Sequence, residues 1–277
     1  MHAPPTPGFS LPSARPPFRP GGDRLWLIAG TGEGPALARR LLVRGWRLRV
    51  SVVTASARLA YPNDPRLEVV VGALAGASAW QAALAEAERQ GDPFQWLVDA
   101  SHPFASLVTA AAAAAMEGRP ERLVRLHRPP LPTPLATPLS HIRQMEEHLR
   151  RGDRLLLAIG ARQLREALRH CGEALPHCRV LPHPQALRLA LQAGVPPQRI
   201  ACLHPTEDGA MERGLCEHWG ITTILCRQSG GTTEALWWRI SEERGLRLLS
   251  LRRPPEPSGL VRLPLEELIE HLGWPQR

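Results

Sequence analysis

The chain holds 277 residues, 43% hydrophobic and 22% charged, which is enough for two α/β domains with real cores and excludes wholesale disorder. Its formal charge is +8 and all 34 basic residues are arginine, so neither a Schiff-base lysine nor a lysine general base is available. Aromatic residues make up only 5%, with no basic, aromatic-studded stripe, so local arginine pockets for a small polyanion fit better than nucleic acid.

No apolar run approaches the roughly 18 residues of a membrane span. Cys171, Cys178, Cys202, Cys216 and Cys226 are odd in number and lack a C-x-x-C pair. They read as buried or loop thiols of a cytoplasmic protein, and Cys171, His177 and Cys178 lack the tight paired spacing of structural zinc sites.

Residues 1–23 are rich in proline without an apolar core, which predicts a disordered lead-in and not a signal peptide. The ordered chain starts at Arg24. Leu25–Ala29 is an apolar strand that runs into Gly30-Thr31-Gly32-Glu33-Gly34, then Pro35 and a helical pattern through Leu37, Leu41 and Leu42. Strands are expected at 48–53, 68–71, 96–99 and 122–126, with helices over 79–90 and 107–116. Apolar strands alternating with helices predict a parallel sheet covered on both faces.

Prolines 129, 130, 132, 134 and 138 predict a stiff linker that ends this first domain, residues 24–130. The rhythm then restarts over residues 139–252. Strands are expected at 155–159, 179–181, 200–203, 223–226 and 247–250, and helices at 163–169, 184–193, 209–218 and 233–244. The remaining 253–277 reads as a C-terminal tail with one helix over 265–272. The fold class is therefore α/β, two domains with parallel sheets facing across a cleft, plus a C-terminal helix.

Strands that feed glycine turns place ligand groups at the carboxyl edge of a sheet. Gly30, Thr31 and Gly32 suit a backbone approaching a phosphate, while Glu33 suits a ribose hydroxyl better than a pyrophosphate. An ordinary β-α turn would use the same residues. Ser56 and Arg58 follow the second strand, where an adenosine ribose lies in dinucleotide folds. They favour a 2′-phosphate, hence NADPH over NADH, or else Arg58 is a solvated loop arginine.

Val98-Asp99-Ala100-Ser101-His102-Pro103-Phe104-Ala105 gathers Asp, Ser and His at a strand end. Neighbours in sequence seldom meet as a nucleophilic pair, so Ser101 and His102 read as ligand donors, with a helix-capping turn as the competing account. In the second half, Gly160-Ala161-Arg162-Gln163 and Ser229-Gly230-Gly231 form two more turns able to hold anions, and Arg162 adds a fork for a carboxylate.

These residues resemble the precorrin-6A reductases of cobalamin biosynthesis. The likeness is carried by Ile28–Glu33, by the Asp99–Ala105 run (Asp-Ala-Thr-His-Pro-Phe-Ala in the family), by Arg128-Pro129-Pro130, by Gly160-x-Arg162-Gln163, by Ser229–Gly231 and by Arg253-Pro254-Pro255. It runs from about Leu25 to about Pro255.

The resemblance implies two Rossmann-like domains that bind NADPH and a tetrapyrrole. Hydride from the nicotinamide saturates one double bond of precorrin-6A, or of its cobalt complex, and gives the 6B form; no metal is needed for the transfer. It puts Gly30, Thr31, Gly32, Glu33, Ser101 and His102 on the cofactor side, beside Ser56 and Arg58 read from their place after the second strand, and His102, at a strand's carboxyl end, is also a candidate catalytic residue. On the substrate side it implies Arg128, Gly160, Arg162, Gln163, Ser229, Gly230 and Gly231.

The expected assembly is a monomer. Trp237 stands about where the family carries a lysine, and His204-Pro205 where it often shows Gly-Pro-Phe. A carrier of nucleotide or tetrapyrrole with weak catalysis is the alternative that the departure at Trp237 raises. A small-alcohol dehydrogenase is disfavoured, since one tyrosine, Tyr61, and no lysine cannot make a Tyr–Lys acid pair.

Overall fold

The computed structural model describes residues 23–30, 32–72, 76–118, 122–206 and 208–275. They form two compact units. Residues up to Ser101, Val108–Leu126 and those from Pro257 onward make the first unit, while His102–Leu107 and His127–Glu256 make the second.

In the first unit six parallel strands form one sheet: β1 (Arg24–Ala29), β2 (Arg47–Val52), β3 (Leu67–Val71), β4 (Trp96–Ala100), β5 (Leu123–Leu126) and β12 (Val261–Leu263). Their order is β12-β5-β4-β1-β2-β3, so the sheet is doubly wound and its order reverses between β1 and β4.

The alternation of β1 shows why both faces are covered. Leu25 and Leu27 pack with Leu37 and Leu41 of α1 (Glu33–Val43) and with Leu268, Ile269 and Leu272 of α9 (Leu265–Leu272). Trp26 and Ile28 point the other way, onto Trp80 and Ala87 of α3 (Gly76–Arg89) and Ala112 of α4 (Ser106–Ala115). Each fully buried leucine of this kind contributes about 1.5–3 kcal/mol.

The second unit repeats the plan. Its strands are β6 (Thr137–Leu139), β7 (Arg154–Ala158), β8 (Leu175–Val180), β9 (Ile200–Cys202), β10 (Thr223–Arg227) and β11 (Arg247–Leu251). All are parallel, in the order β6-β11-β10-β7-β8-β9, with the reversal between β7 and β10. Leu155 and Leu157 face α5 (Leu164–Arg169) and α6 (Pro184–Gln192). Leu156 faces α7 (Ala210–His218) and α8 (Thr232–Arg244). The α/β class with two covered parallel sheets is as the sequence predicts.

Two strands were not expected from the sequence. The proline stretch was expected to be linker alone, yet Thr137–Leu139 pairs with β11 in register Ser250 to Pro138. Proline is tolerated there because β6 is an edge strand with one neighbour.

The tail after residue 253 was expected to carry only a helix. Instead Val261–Leu263 pairs with β5 and extends the first sheet, and α9 covers it. The Arg40 guanidinium grips both oxygens of Glu266 at 2.6 Å, and Trp46 Nε1 donates to the Gly273 carbonyl at 3.1 Å. The apolar face of α9 supplies most of this attachment, since an exposed ion pair contributes about 0–1 kcal/mol.

Candidate functional site

The carboxyl edge of the first sheet collects three of the predicted turns. Ala29 and Ala100 are paired neighbours at the ends of β1 and β4, beside the end of β2. Beyond β1, Gly30 and Gly32 are exposed, and Gly32 caps α1 without any side-chain hydrogen bond. Thr31 lies outside the described residues.

A Cβ at Gly32 would meet nothing within 4 Å, and its φ of −61° is ordinary, so neither strain nor packing demands glycine there. Packing demands it at Gly34 instead. A Cβ at Gly34 would fall 2.5 Å from the Tyr61 hydroxyl and 3.0 Å from Ala29 Cβ. The glycine in the first turn of α1 thus lets helix and strand approach closely, as the last glycine of a dinucleotide turn does. Burial pushes the Tyr61 phenol up to about 12. Glu33 opens the first turn of α1, where the helix dipole favours an acid.

After β2 the chain makes a one-turn helix, α2 (Ala55–Arg58), capped by Thr54, whose hydroxyl accepts from Ala57 N at 3.3 Å. Ser56 Oγ sits 3.1 Å from Thr54 Oγ1. Arg58 is exposed and has no ion pair among the described residues.

The Asp99–Ala105 run divides into a buried part and an accessible part. Asp99 is 0% exposed and is ion-paired with Arg125, 2% exposed, from the neighbouring β5. It accepts from Ser101 N at 2.9 Å and from Thr109 Oγ1 of α4 at 2.8 Å. The Arg125 guanidinium also reaches Ser101 Oγ at 3.3 Å. Asp99 therefore holds the turn and the helix behind it.

Half-buried His102 accepts at Nδ1 from Phe104 N at 3.1 Å, which puts the proton of a neutral ring on Nε2. The His102 carbonyl accepts from Ala105 N at 2.7 Å. The loop that carries His102 and Phe104 belongs to the second unit.

In that unit the ends of β7 and β10 are neighbours, Ala158 beside Cys226. Gly160, with φ +81°, turns the chain into a short 3-10 segment, Ala161–Gln163. Arg162 is exposed, and Gln163 Oε1 accepts from Arg227 Nε at 2.8 Å. The Arg227 guanidinium lies 5.0 Å from the centre of the Phe104 ring. Burial, and next the positive charge of Arg162, lower the Arg227 pKa to about 10.

At the end of β10, Ser229 is buried, and Gly230 takes φ +69° and donates to Glu234 Oε2 at 2.5 Å. Burial pushes the Glu234 carboxyl up, opposed by the Gly230 and Ser229 amides and by Arg253. Arg253 ties the loop down, donating to the Gln228 carbonyl at 2.7 Å and to the Arg128 carbonyl at 2.6 Å. Arg128 is itself buried. Gly231 begins α8 with no side-chain cap, and a Cβ there would meet nothing within 4 Å.

Trp237 lies inside the core against Leu236 and Ile240, so it fills a packing position and presents nothing at the strand ends. Sequence reasoning gave no role to Gly34, Phe104, Arg227, Glu234 or Arg253. Gly34 and Phe104 stood inside motifs already singled out, and Arg253 inside the Arg-Pro-Pro run. Arg227 and Glu234 carried no local signal. Among the described residues, no helix is long and apolar enough to cross a membrane, and no group of three His, Cys, Asp or Glu side chains is placed to hold a metal ion.

Residues 24–272 match the family model described as precorrin-6x reductase CbiJ/CobK. A cobalt-precorrin-6A reductase of Synechocystis sp. is 33% identical over 86% of this chain and 91% of its own length. A precorrin-6A reductase of Rhodococcus erythropolis is 31% identical over 84% of this chain and 90% of its own. Among solved structures, a CobK precorrin-6A reductase shares the fold with a TM-score of 0.72, at 22% identity, over 91% of this chain and 98% of that one. The chain belongs to the precorrin-6x reductase (CbiJ/CobK) family.

Proposed function

We propose that the chain reduces precorrin-6A, or its cobalt complex, to the 6B form in cobalamin biosynthesis, with NADPH as the reductant. The observation that carries this reading is the match to reductases of that name over more than four-fifths of the chain. The residues present fit the cofactor. α1 opens on Gly32 with no side-chain cap and open space at its Cα, as a diphosphate on backbone amides requires. Arg58 stands exposed beyond β2 with no carboxylate partner among the described residues, where a 2′-phosphate would meet it.

NADPH, when bound, supplies the hydride. The chain's own part is to bind and orient. In this reading Gly30, Thr31, Gly32 and Glu33 hold the diphosphate and ribose, and Ser56 and Arg58 select the phosphorylated ribose. Ser101 and His102 position a ligand beyond β4. Arg128, Gly160, Arg162, Gln163 and Ser229–Gly231 receive the carboxylates that rim a tetrapyrrole. Saturating one ring double bond also takes a proton, which solvent or His102 Nε2 can deliver.

Incubation of the pure protein with precorrin-6A and NADPH tests the reading. Loss of nicotinamide absorbance in step with formation of the 6B ring is expected. Binding of both molecules without that loss would identify a carrier instead. With Trp237 in the core, the departure that raised the carrier alternative lies away from the turns.

A further inference from the structure

We infer that the Tyr61 hydroxyl donates a hydrogen bond to a phosphate of NADPH beside the first turn of α1; this rests on the NADPH reading above. Tyr61 is the single tyrosine of the chain. Its hydroxyl is a close neighbour of Gly34, since a Cβ on that glycine would fall 2.5 Å from the oxygen. Gly34 is the second residue of α1. The hydroxyl therefore stands beside the helix turn that faces the phosphates in a dinucleotide fold.

That turn is short of donors. The first turn of a helix offers backbone N–H groups that have no partner inside the helix. The third residue of α1 is Pro35, which has no N–H to offer. Gly32 at the cap brings no side chain, and Glu33 brings an acid that repels a phosphate. A neutral hydroxyl beside Gly34 supplies a donor where the amide of residue 35 is missing.

The protein holds Tyr61 in place and leaves its oxygen unused. The ring packs against the core of the first unit. Tyr61 N donates to the Arg58 carbonyl at 3.1 Å, and the Ala60 carbonyl accepts from Arg39 of α1 at 3.1 Å. α1 and the Ser56–Arg58 turn thus fix the residue from two sides. The hydroxyl makes no hydrogen bond among the described residues, and burial, which pushes its pKa up to about 12, keeps it protonated as a donor. A donor already fixed loses little freedom when its acceptor arrives.

NADPH and NADH, each titrated by its fluorescence into the full-length protein, test the contact. Tyr61→Phe keeps the ring and removes only the hydroxyl. NADPH affinity should fall about tenfold, as for a hydrogen bond to a charged group, while Tm stays at the parent's value because no bond inside the protein is lost. NADH distinguishes the phosphates: an equal loss assigns the contact to the diphosphate, and a loss confined to NADPH assigns it to the 2′-phosphate. Tyrosine labelled with carbon-13 at Cζ gives one resonance in this chain, and NADP+ should shift it with the Kd of the titration.

Unchanged NADPH affinity in Tyr61→Phe, or a Cζ resonance that saturating NADP+ leaves in place, overturns the contact while the NADPH reading stands. A loss of affinity that comes with a lower Tm also overturns it, because the hydroxyl would then serve the fold. A parent protein that binds no NADPH removes the NADPH reading and this contact with it.

Discussion

The Asp99 carboxylate and the Arg125 guanidinium form an ion pair that is almost wholly out of water, one residue from the exit of β4 into the His102 loop. Ser101 and Thr109 hang from the same carboxylate, so a strand, a turn and a helix share one anchor. Removing one side chain takes the ion-pair partner from a charge that stays buried. Asp99→Ala should destabilise the fold by about 3–5 kcal/mol in urea unfolding. Pairing it with Arg125→Met should restore a large part, and a double variant no better than the single one would show that the pair is not the anchor.

His102→Asn separates the turn from the ring. An asparagine side-chain oxygen can accept from Phe104 N as His102 Nδ1 does, so the loop should keep its shape while Nε2 is lost. If His102 positions a ligand, binding weakens and the pH profile of turnover at saturation keeps its form. That is the expected result. Collapse of turnover with binding intact would make His102 the proton donor.

Arg58→Ala should weaken NADPH by about tenfold or more and leave NADH nearly unchanged, as expected for a charge-assisted contact to a phosphate. The comparison needs only binding titrations of the two nucleotides. Equal losses would show that Arg58 does not read the 2′-phosphate.

The glycines after β10 should respond oppositely. At Gly230, φ +69° costs a residue with a Cβ about 1–2 kcal/mol, and that Cβ would also press to 2.5 Å on the Pro129 carbonyl. Gly230→Ala should therefore lower Tm. Gly231→Ala meets open space and should leave the free protein's Tm unchanged. Any loss of tetrapyrrole binding in Gly231→Ala then reports a ligand contact and not a folding defect.

His177 gives the second unit an acid sensitivity. Its ring packs at 4.9 Å on Trp219 and its Nδ1 lies 3.1 Å from the Leu175 carbonyl, and burial lowers its pKa from 6.5 to about 4. Folded, the ring stays neutral; unfolded, it takes up a proton below pH 6.5. Its contribution is therefore fully present above pH 6.5 and falls at about 1.4 kcal/mol per unit as pH drops towards 4. His177→Phe, which keeps the ring contact, should show a shallower loss over that window in urea unfolding. Parallel curves for parent and variant would exclude this role.

The sequence by itself determined the alternation of strands and helices and the glycine turns at strand ends. It also carried the Asp99–Ala105 run that pointed to the family. Those signals are local: short continuous apolar runs, a proline in a first helical turn, glycines at strand ends. Only the tertiary structure decided what is paired across long separations. Val261–Leu263 has no pattern that distinguishes it from a tail until β5 offers an edge, and Thr137–Leu139 is a strand only because β11 lies beside it.

The same holds at the candidate site. Asp99 is in sequence one polar residue of a strand-end run and becomes an anchor because Arg125 arrives from the next strand. Arg227 looks like one arginine among 34 and becomes distinct because Gln163 and Phe104 hold it while no carboxylate among the described residues pairs with it. A charge's role is set by which counter-charge folding brings within a few ångströms and by how much water it removes, and neither is written in the order of residues.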